Sequence, residues 1–561
     1  MVTGMLKLTM RQIRSSLTRF LAIAAIVALG VGFFCGLRLT KTAMVHTLDD
    51  YAEAHRMYDF RLVSTVGFDE TDAEALAADA RVAACEGEKS ADALASVADG
   101  AAKPCRFLSL PEQIDLPGLK CGRFPQTAGE CLADGLLYSE KDLGKTVVLT
   151  EENDEDTLDG FNRREFTIVG IAKSVLYINY ERGGTSIGSG TLSSFVYILP
   201  EAFALEYDTS LYLRLAGRQG EVYSDEYTAC IDAAEPWVTQ LAESAAYGRS
   251  DRLYEEAEQT LSDARKTLDE KQQELADAKQ ELADAKQQLT DGKQDIADAE
   301  VELSDGEQKL ADAEQEYQDG QDALEKLENP DVFVLDRSSN VGYACFESDS
   351  DIVRGVSRVF PLFFFAVAAL VCITTMTRMV DEQRTQAGVL KAMGYSNGAI
   401  FLVYFLYAGS ASVLGCVVGI AAGSYFLPKM IWQGYNIMYG FTDILYAFDW
   451  PLALLSAGAY LLCALGTTWY VAHAELQRPA AELIRPKAPK AGKRILLERL
   501  PGLWNRIPFL HKVSIRNILR YKKRMIMMII GIGGCTALLI TGYGIQDSSS
   551  IVVDYQYSEI T

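Results

Sequence analysis

The chain reads as a multi-pass α-helical membrane protein with an extracytoplasmic α+β domain and a long antiparallel coiled-coil hairpin. Three observations predict this class. Five apolar runs carry no ionisable side chain, a heptad register holds without a slip from Leu261 to Leu324, and acidic and basic residues are segregated along the chain.

The runs Phe20–Leu37, Val359–Thr377, Ala399–Pro428, Pro451–Tyr470 and Met525–Gln546 are each close to or above the ~18 to 20 residues that cross a bilayer. The first exceeds the ~7 to 15 residues of a signal-peptide core and no clean cleavage site follows it, so it reads as a retained anchor. Orientation follows from the basic residues. Lys7, Arg11, Arg14 and Arg19 precede the first span, and Arg378, Arg384 and Lys391 lie between the second and third. From Val471 to Arg524 fourteen Lys and Arg stand against Glu475, Glu482 and Glu498. These segments belong in the cytoplasm. The stretch from Arg38 to Arg358 holds 31 basic and 66 acidic residues, more than accounting for the chain's net −23. It belongs outside, and its acidity excludes nucleic acid as a partner. The location is the cell (plasma) membrane.

The resulting order is a cytoplasmic amphipathic N-terminus (1–19), a first span (20–37), an extracytoplasmic α+β domain (38–234), the coil (235–329) and a return segment (330–358). A second span (359–377), a cytoplasmic helix (378–398), a third span (399–428), an outer loop (429–450) and a fourth span (451–471) follow. A basic linker (472–524), a fifth span (525–546) and an outer C-terminus (547–561) complete it.

In the outer domain, Lys145–Thr150, Glu165–Ile171, Ser194–Leu199 and Leu211–Leu215 are short β-like runs between turn clusters, and Ala73–Ala80 is helix-like. Gly183–Gly190 is glycine-rich but lacks the Lys and following helix of a phosphate loop, so it reads as a flexible loop.

The coil repeats Leu261, Leu268, Leu275, Leu282, Leu289, Ile296, Leu303, Leu310, Tyr317 and Leu324 every seventh position. Small residues such as Ala264, Ala278, Gly306, Ala313 and Gly320 stand three positions on, which makes a narrow seam. One straight helix over 235–328 would be ~140 Å long. The segment from Pro330 to Arg358 can span no more than ~100 Å, so the chain is expected to fold back near Thr290, Asp291 and Gly292.

Within the spans, Gly415, Gly419 and Gly423 form a small-xxx-small face suited to close helix packing. No Asp, Glu, Lys or Arg lies inside any span, so no ion-coupled relay is expected. Cys35, Cys372, Cys416, Cys463 and Cys535 read as intramembrane packers, and the pairing of Cys85, Cys105, Cys121, Cys131, Cys230 and Cys345 stays open. Four scattered His and no close Cys spacing give no metal, cofactor or catalytic residue to propose; an enzyme is not expected.

Between the second and third spans lies a short amphipathic helix, Asp381 to Met393, with Val380, Ala387, Leu390 and Met393 available for an apolar side and Gly394 as its stop. Glu382-x-Arg384-Thr385-x-x-Gly388-x-Leu390-Lys391-Ala392-Met393-Gly394 resembles the signature of the FtsX-like permease family of ABC transporters, which includes the MacB and lipoprotein-release permeases. Gln386 and Ala387 depart from the Glu-Ile of many members. Gly122–Pro125, Gly129-Glu130, Leu143–Val147 and Phe166–Ile171 are similar to the extracytoplasmic core domain of MacB-type permeases. The resemblance implies no catalysis in this chain and a separate cytoplasmic ABC ATPase. It makes Glu382, Arg384, Thr385, Gly388, Leu390, Lys391 and Gly394 the expected ATPase-coupling helix.

Arg11-Gln12-Ile13 and Arg19 correspond at a constant offset to Arg516-Asn517-Ile518 and Arg524 ahead of the fifth span. With the Pro- and Lys-rich linker Arg478–Lys493, this suggests a second permease repeat from about His511. The chain then reads as the first half of a duplicated permease, whose partners are the ATPase, a second half or another copy, membrane lipid, and an extracellular protein such as a cell-wall hydrolase. Its role would be mechanotransmission for export, for lipid, lipoprotein or peptide handling, or for hydrolase regulation. The alternative is a membrane-anchored coiled-coil surface protein for adhesion or partner recognition, which has no need of the loop-helix motif.

Overall fold

The computed structural model describes residues 2–97, 100–288, 293–327, 329–485, 508–520 and 522–555. In chain order, α1 (Val2–Ser15) and α2 (Leu17–Ala54) lead into β1 (Phe60–Ser64), α3 (Glu70–Ala77), β2 (Val82–Glu88), β3 (Ser90–Val97) and β4 (Lys103–Ser109). Next come β5 (Gly118–Gly122), β6 (Glu130–Asp134), β7 (Thr146–Leu149), α4 (Glu155–Asp159), β8 (Glu165–Lys173), β9 (Ser194–Ile198) and β10 (Ser210–Leu215). Two long helices, α5 (Asp225–Gln288) and α6 (Lys293–Leu327), precede β11 (Val332–Asp336). The remainder is helical: α7 (Val341–Glu382), α8 (Arg384–Ala392), α9 (Asn397–Tyr439), α10 (Trp450–Leu476), α11 (Ala480–Ile484), α12 (Phe509–Arg520) and α13 (Lys522–Tyr555).

Two compact units result. One comprises Met1–Met44, Asp349–Gly434 and Ile444–Thr561, and the other Val45–Ser348 with Tyr435–Asp443. In the first, among the described residues, α2, α7, α9 and α10 are long and apolar enough to cross a membrane. They share one core, to which α2 gives Ile23, Val27, Val31 and Cys35, α7 gives Cys372 and Met376, α9 gives Tyr404, Ala408 and Ala411, and α10 gives Tyr460 and Ala464. Three of these helices outlast their apolar runs: α2 continues to Ala54, α7 begins at Val341 and α9 ends at Tyr439. The boundaries expected at 37, 359 and 428 are boundaries of hydropathy only. A helix ends where its backbone hydrogen bonds stop, and polar residues continue it as well as apolar ones do. The fifth apolar run lies in α13, several of whose side chains fall outside the described residues, as does the linker segment 486–507.

The other unit holds two sheets. Strands β11-β1-β10-β2 pair antiparallel in that order. The larger sheet runs β5-β8-β6-β9-β4-β3-β7, and β7 also pairs with β8. It therefore closes. On its free edge β8 takes β7 at Glu165–Thr167 and β5 at Gly170–Lys173, while β6 lies on the other edge. Phe107, Phe166, Ile168, Val196 and Ile198 fill the interior. Closure pairs the edge of β7 that an open sheet would expose, and leaves β5 with β8 alone as its partner.

The helix that continues into the coil starts at Asp225. Tyr227, Ile231, Ala234, Val238, Ala242 and Ala246 of α5 recur every three or four residues and cover Leu62, Leu211 and Leu213 of the four-stranded sheet. Beyond that docked portion α5 runs against α6. Leu275 meets Gly306 and Leu261 meets Gly320, each at Leu Cδ1, and Gln272 Nε2 donates to Glu314 at 3.0 Å. Partners that rise along α5 fall along α6, so the two helices are antiparallel, and small residues admit the leucines. The fold-back expected at Thr290–Gly292 lies outside the described residues. After α6 the chain re-enters the sheet as β11, where buried Arg337 donates to the carbonyls of Tyr58 (2.5 Å) and Met57 (2.8 Å) and pairs with Asp59 at 3.0 Å. This strand occupies the start of the segment 330–358.

Candidate functional site at the short helix α8

The helix α8 begins where α7 breaks at Gln383, with φ −95° and ψ 8°. It stops at Gly394, whose φ of +91° lets the chain reverse; Gly394 N–H donates to Lys391 O and Tyr395 N–H to Leu390 O. The break at Gln383 and the reversal at Gly394 set its length.

One face is turned inward. Arg384 is only 6% exposed. Its Nε lies 3.1 Å from Glu475 Oε1 and its Nη2 donates to Glu482 O at 2.8 Å. Arg478 completes the cluster, 3.4 Å from Glu475 and 2.7 Å from Glu482. Lys391 Nζ donates to the carbonyls of Leu476 (2.9 Å) and Arg478 (2.8 Å). A cation there satisfies the last carbonyls of α10 and complements its dipole. A Cβ placed on Gly388 would lie 2.9 Å from Leu483 Cβ and 3.0 Å from Ile484 N. Only glycine lets α11 lie this close.

Arg384 and Gly388 are thus both engaged inside the chain, against α10 and α11. Ala387 is buried, Leu390 packs partly against the helical core, and Glu382 accepts from Arg19 (2.5 Å) and Arg378 (2.9 Å). Met393, expected on the apolar side, is 66% exposed because the chain is already reversing there. Thr385, Gln386 and Val389 are exposed with it. Glu475 and Glu482 were legible only as acids in a basic stretch; the local signs of their role are the i,i+3 spacing of Glu475 and Arg478 and the i,i+4 spacing of Arg478 and Glu482.

The glycines of α9 lie against α2. A Cβ on Gly415, Gly419 or Gly423 would approach the carbonyl oxygens of Ala24, Ala28 and Gly32 to 2.5, 2.4 and 2.3 Å. Backbone meets backbone along this line, which in lipid maximises dispersion contact where no hydrophobic force distinguishes protein from solvent. Among the described residues no group of three or more His, Cys, Asp or Glu is set to hold a metal.

Residues 358–474, from the middle of α7 through most of α10, match the family model of the FtsX-like permease C-terminal domain. No curated protein sequence matches the chain. Among solved structures, the periplasmic region of MacB from Actinobacillus actinomycetemcomitans is similar over 35% of this chain and 89% of its own, at 10% identity and a TM-score of 0.22. The extracellular domain of the noncanonic ABC-type transporter YknZ from Gram-positive bacteria is similar over 31% and 87%, at 10% identity and a TM-score of 0.19. The segment that holds α8 between two long apolar helices is thus similar to the FtsX-like permease C-terminal domain.

Proposed function

We propose that the chain is the permease subunit of an ABC-type transporter, in which a cytoplasmic ATPase docks on the outer face of α8. The observation that carries this reading is the division of that helix. Arg384, Gly388 and Lys391 bind it rigidly to α10 and α11, while Val389 and Met393 are 45% and 66% exposed beside Thr385 and Gln386. A rigid element with an open apolar face is what a motor needs to push against, and covering two such side chains contributes roughly 1.5 to 3 kcal/mol each at most. The docking role is accordingly reassigned from Arg384 and Gly388 to this face.

The basic flanks of the spans support a cytoplasmic N-terminus and an outer position for the β-rich unit. The stroke would pass along α2, α7 and α9, single helices with residues in both units. The antiparallel α5 and α6 act in this reading as a coiled-coil hairpin that binds, pushes or gates something outside. The cargo class is lipid, lipoprotein or peptide, or no cargo but an activated cell-wall hydrolase.

The test uses the full chain co-expressed with a candidate cytoplasmic ABC ATPase. Val389→Asp with Met393→Asp should abolish co-purification of the ATPase and stimulation of ATP hydrolysis, with membrane insertion unchanged. Wild-type coupling in the inserted double variant would sink the reading.

A further inference from the structure

The surface of α1 divides into three stripes, each stepping four residues and then three, as neighbours on a helix do. Met5, Thr9 and Gln12 form the first and are buried. Leu6, Met10 and Ile13 form the second; Leu6 and Met10 are 50% and 61% exposed, and Ile13 rests against the helical core. Lys7, Arg11 and Arg14 form the third, all exposed. No acid precedes Asp49 in the chain, and these three cations take no hydrogen bond or ion pair among the described residues. Arg19, by contrast, is committed to Glu382.

A helix held by one side thus turns an apolar stripe and a cationic stripe outward together. Two observations say what covers them. The apolar stripe is continued, because α2 starts after Ser16 alone, and its Leu17, Leu21 and Leu29 are half-exposed on a helix apolar enough to cross a membrane. The cations also lie at the depth of lipid headgroups. Along a helix Arg14 stands ~9 Å before Phe20, where the charge-free run begins, and the headgroup layer of one leaflet is roughly 5 to 8 Å thick. The arrangement recurs ahead of the fifth apolar run. Lys512 and Arg516 of α12 repeat Lys7 and Arg11 at the offset that relates Arg19 to Arg524, and Phe509, Leu510 and Val513 are exposed beside them.

We propose that α1 is a binding surface for anionic phospholipid. Leu6 and Met10 enter the acyl boundary of the inner leaflet, while Lys7, Arg11 and Arg14 hold headgroup phosphates. The inference rests on the membrane-spanning reading with a cytoplasmic N-terminus, and is independent of what α8 binds. An acidic patch on a partner protein would satisfy the cations but not the continuity with α2, since a soluble partner does not extend along the outside of a span. Guanidinium forks suit phosphate oxygens, and a zwitterionic headgroup offers the three cations no net charge.

The experiment places the full chain, without any ATPase, in phosphatidylcholine nanodiscs. These hold a small fraction of phosphatidylglycerol with a photoreactive diazirine near its headgroup, and cross-linked lipid on the segment carrying α1 is quantified by mass spectrometry. Labelling is expected there, competed by unlabelled phosphatidylglycerol and not by phosphatidylethanolamine. Combining Lys7→Gln, Arg11→Gln and Arg14→Gln, all at exposed positions, should cut the yield at least about tenfold, each cation contributing roughly fivefold in affinity. The charge-keeping combination Lys7→Arg, Arg11→Lys and Arg14→Lys should label as wild type does. Leu6→Ser with Met10→Ser should also lower the yield, because the apolar half of the surface is lost. Unchanged labelling in the inserted charge-removed variant would overturn the proposal, and so would that variant keeping its lipid while losing the ATPase, which would assign the cations to the motor. Failure of the wild-type chain to enter nanodiscs would sink the membrane reading and this inference with it, whereas unchanged labelling sinks this inference alone.

Discussion

Arg384 and Glu475 form an ion pair at 3.1 Å in which neither side chain is more than 13% exposed, joining α8 to the end of α10. Removing one charge from such a pair leaves the other buried and uncompensated. Arg384→Gln should therefore lower stability by about 3 kcal/mol, read as a fall in the thermal midpoint of the purified chain. Val389→Asp on the outer face of the same helix should leave that midpoint within about 0.5 kcal/mol of wild type. Equal losses in the two variants would mean that α8 is not sided as described.

Gly388→Val forces a side chain into the backbone of α11. A maleimide reagent should label Leu483→Cys, buried at 1% in the native chain, slowly in the Gly388 background and much faster with valine present. Unchanged labelling would show that α11 does not rest on α8.

In α9, Gly419→Leu drives a side chain into the Ala28 carbonyl, whereas a Cβ on Gly434 meets nothing within 4 Å. The first should cost about 1 to 3 kcal/mol or more and the second little, measured by thermal aggregation in detergent. Comparable losses would remove the special role of the glycine line.

The antiparallel register of α5 and α6 predicts that Leu261→Cys with Gly320→Cys is bridged within one chain by a short bismaleimide. Dimers on a denaturing gel, with no intrachain product, would assign the contact to two chains instead.

Glu88 supplies the pH dependence. Its carboxyl is raised to about 7 from 4.5, chiefly by burial, so the folded state holds a proton that the unfolded state has released. Stability is then greatest below the unfolded value and falls as pH rises toward about 7, by roughly 3 kcal/mol in full. Glu88→Gln should flatten urea midpoints over that window. A wild-type chain that gains stability from pH 4.5 to 7, with no change of slope in the variant, would contradict the assignment.

The sequence by itself determined whatever depends on neighbours in the chain. Apolar runs without charge placed the four membrane helices, the heptad marked the leucines that α5 turns to α6, and the Gly394 stop delimited α8. Short β-like runs between turn clusters likewise marked β7, β8, β9 and β10. Strands such as β2 (VAACEGE), β3 (SADALASV) and β5 (GLKCG) were illegible because alanine, glycine and acids hide the two-residue period, and they are strands only because partners complete their ladders. Closure of the larger sheet through β7 and β8 is likewise a non-local event. The same limit governed the site. Residues Arg384 and Gly388 could be read as a motif, but whether they faced a partner or the protein depended on Glu475, Glu482 and Ile484, brought up by a different helix pair. Tertiary structure decided that, because an ionised side chain goes inside only where a distant counter-charge is waiting for it.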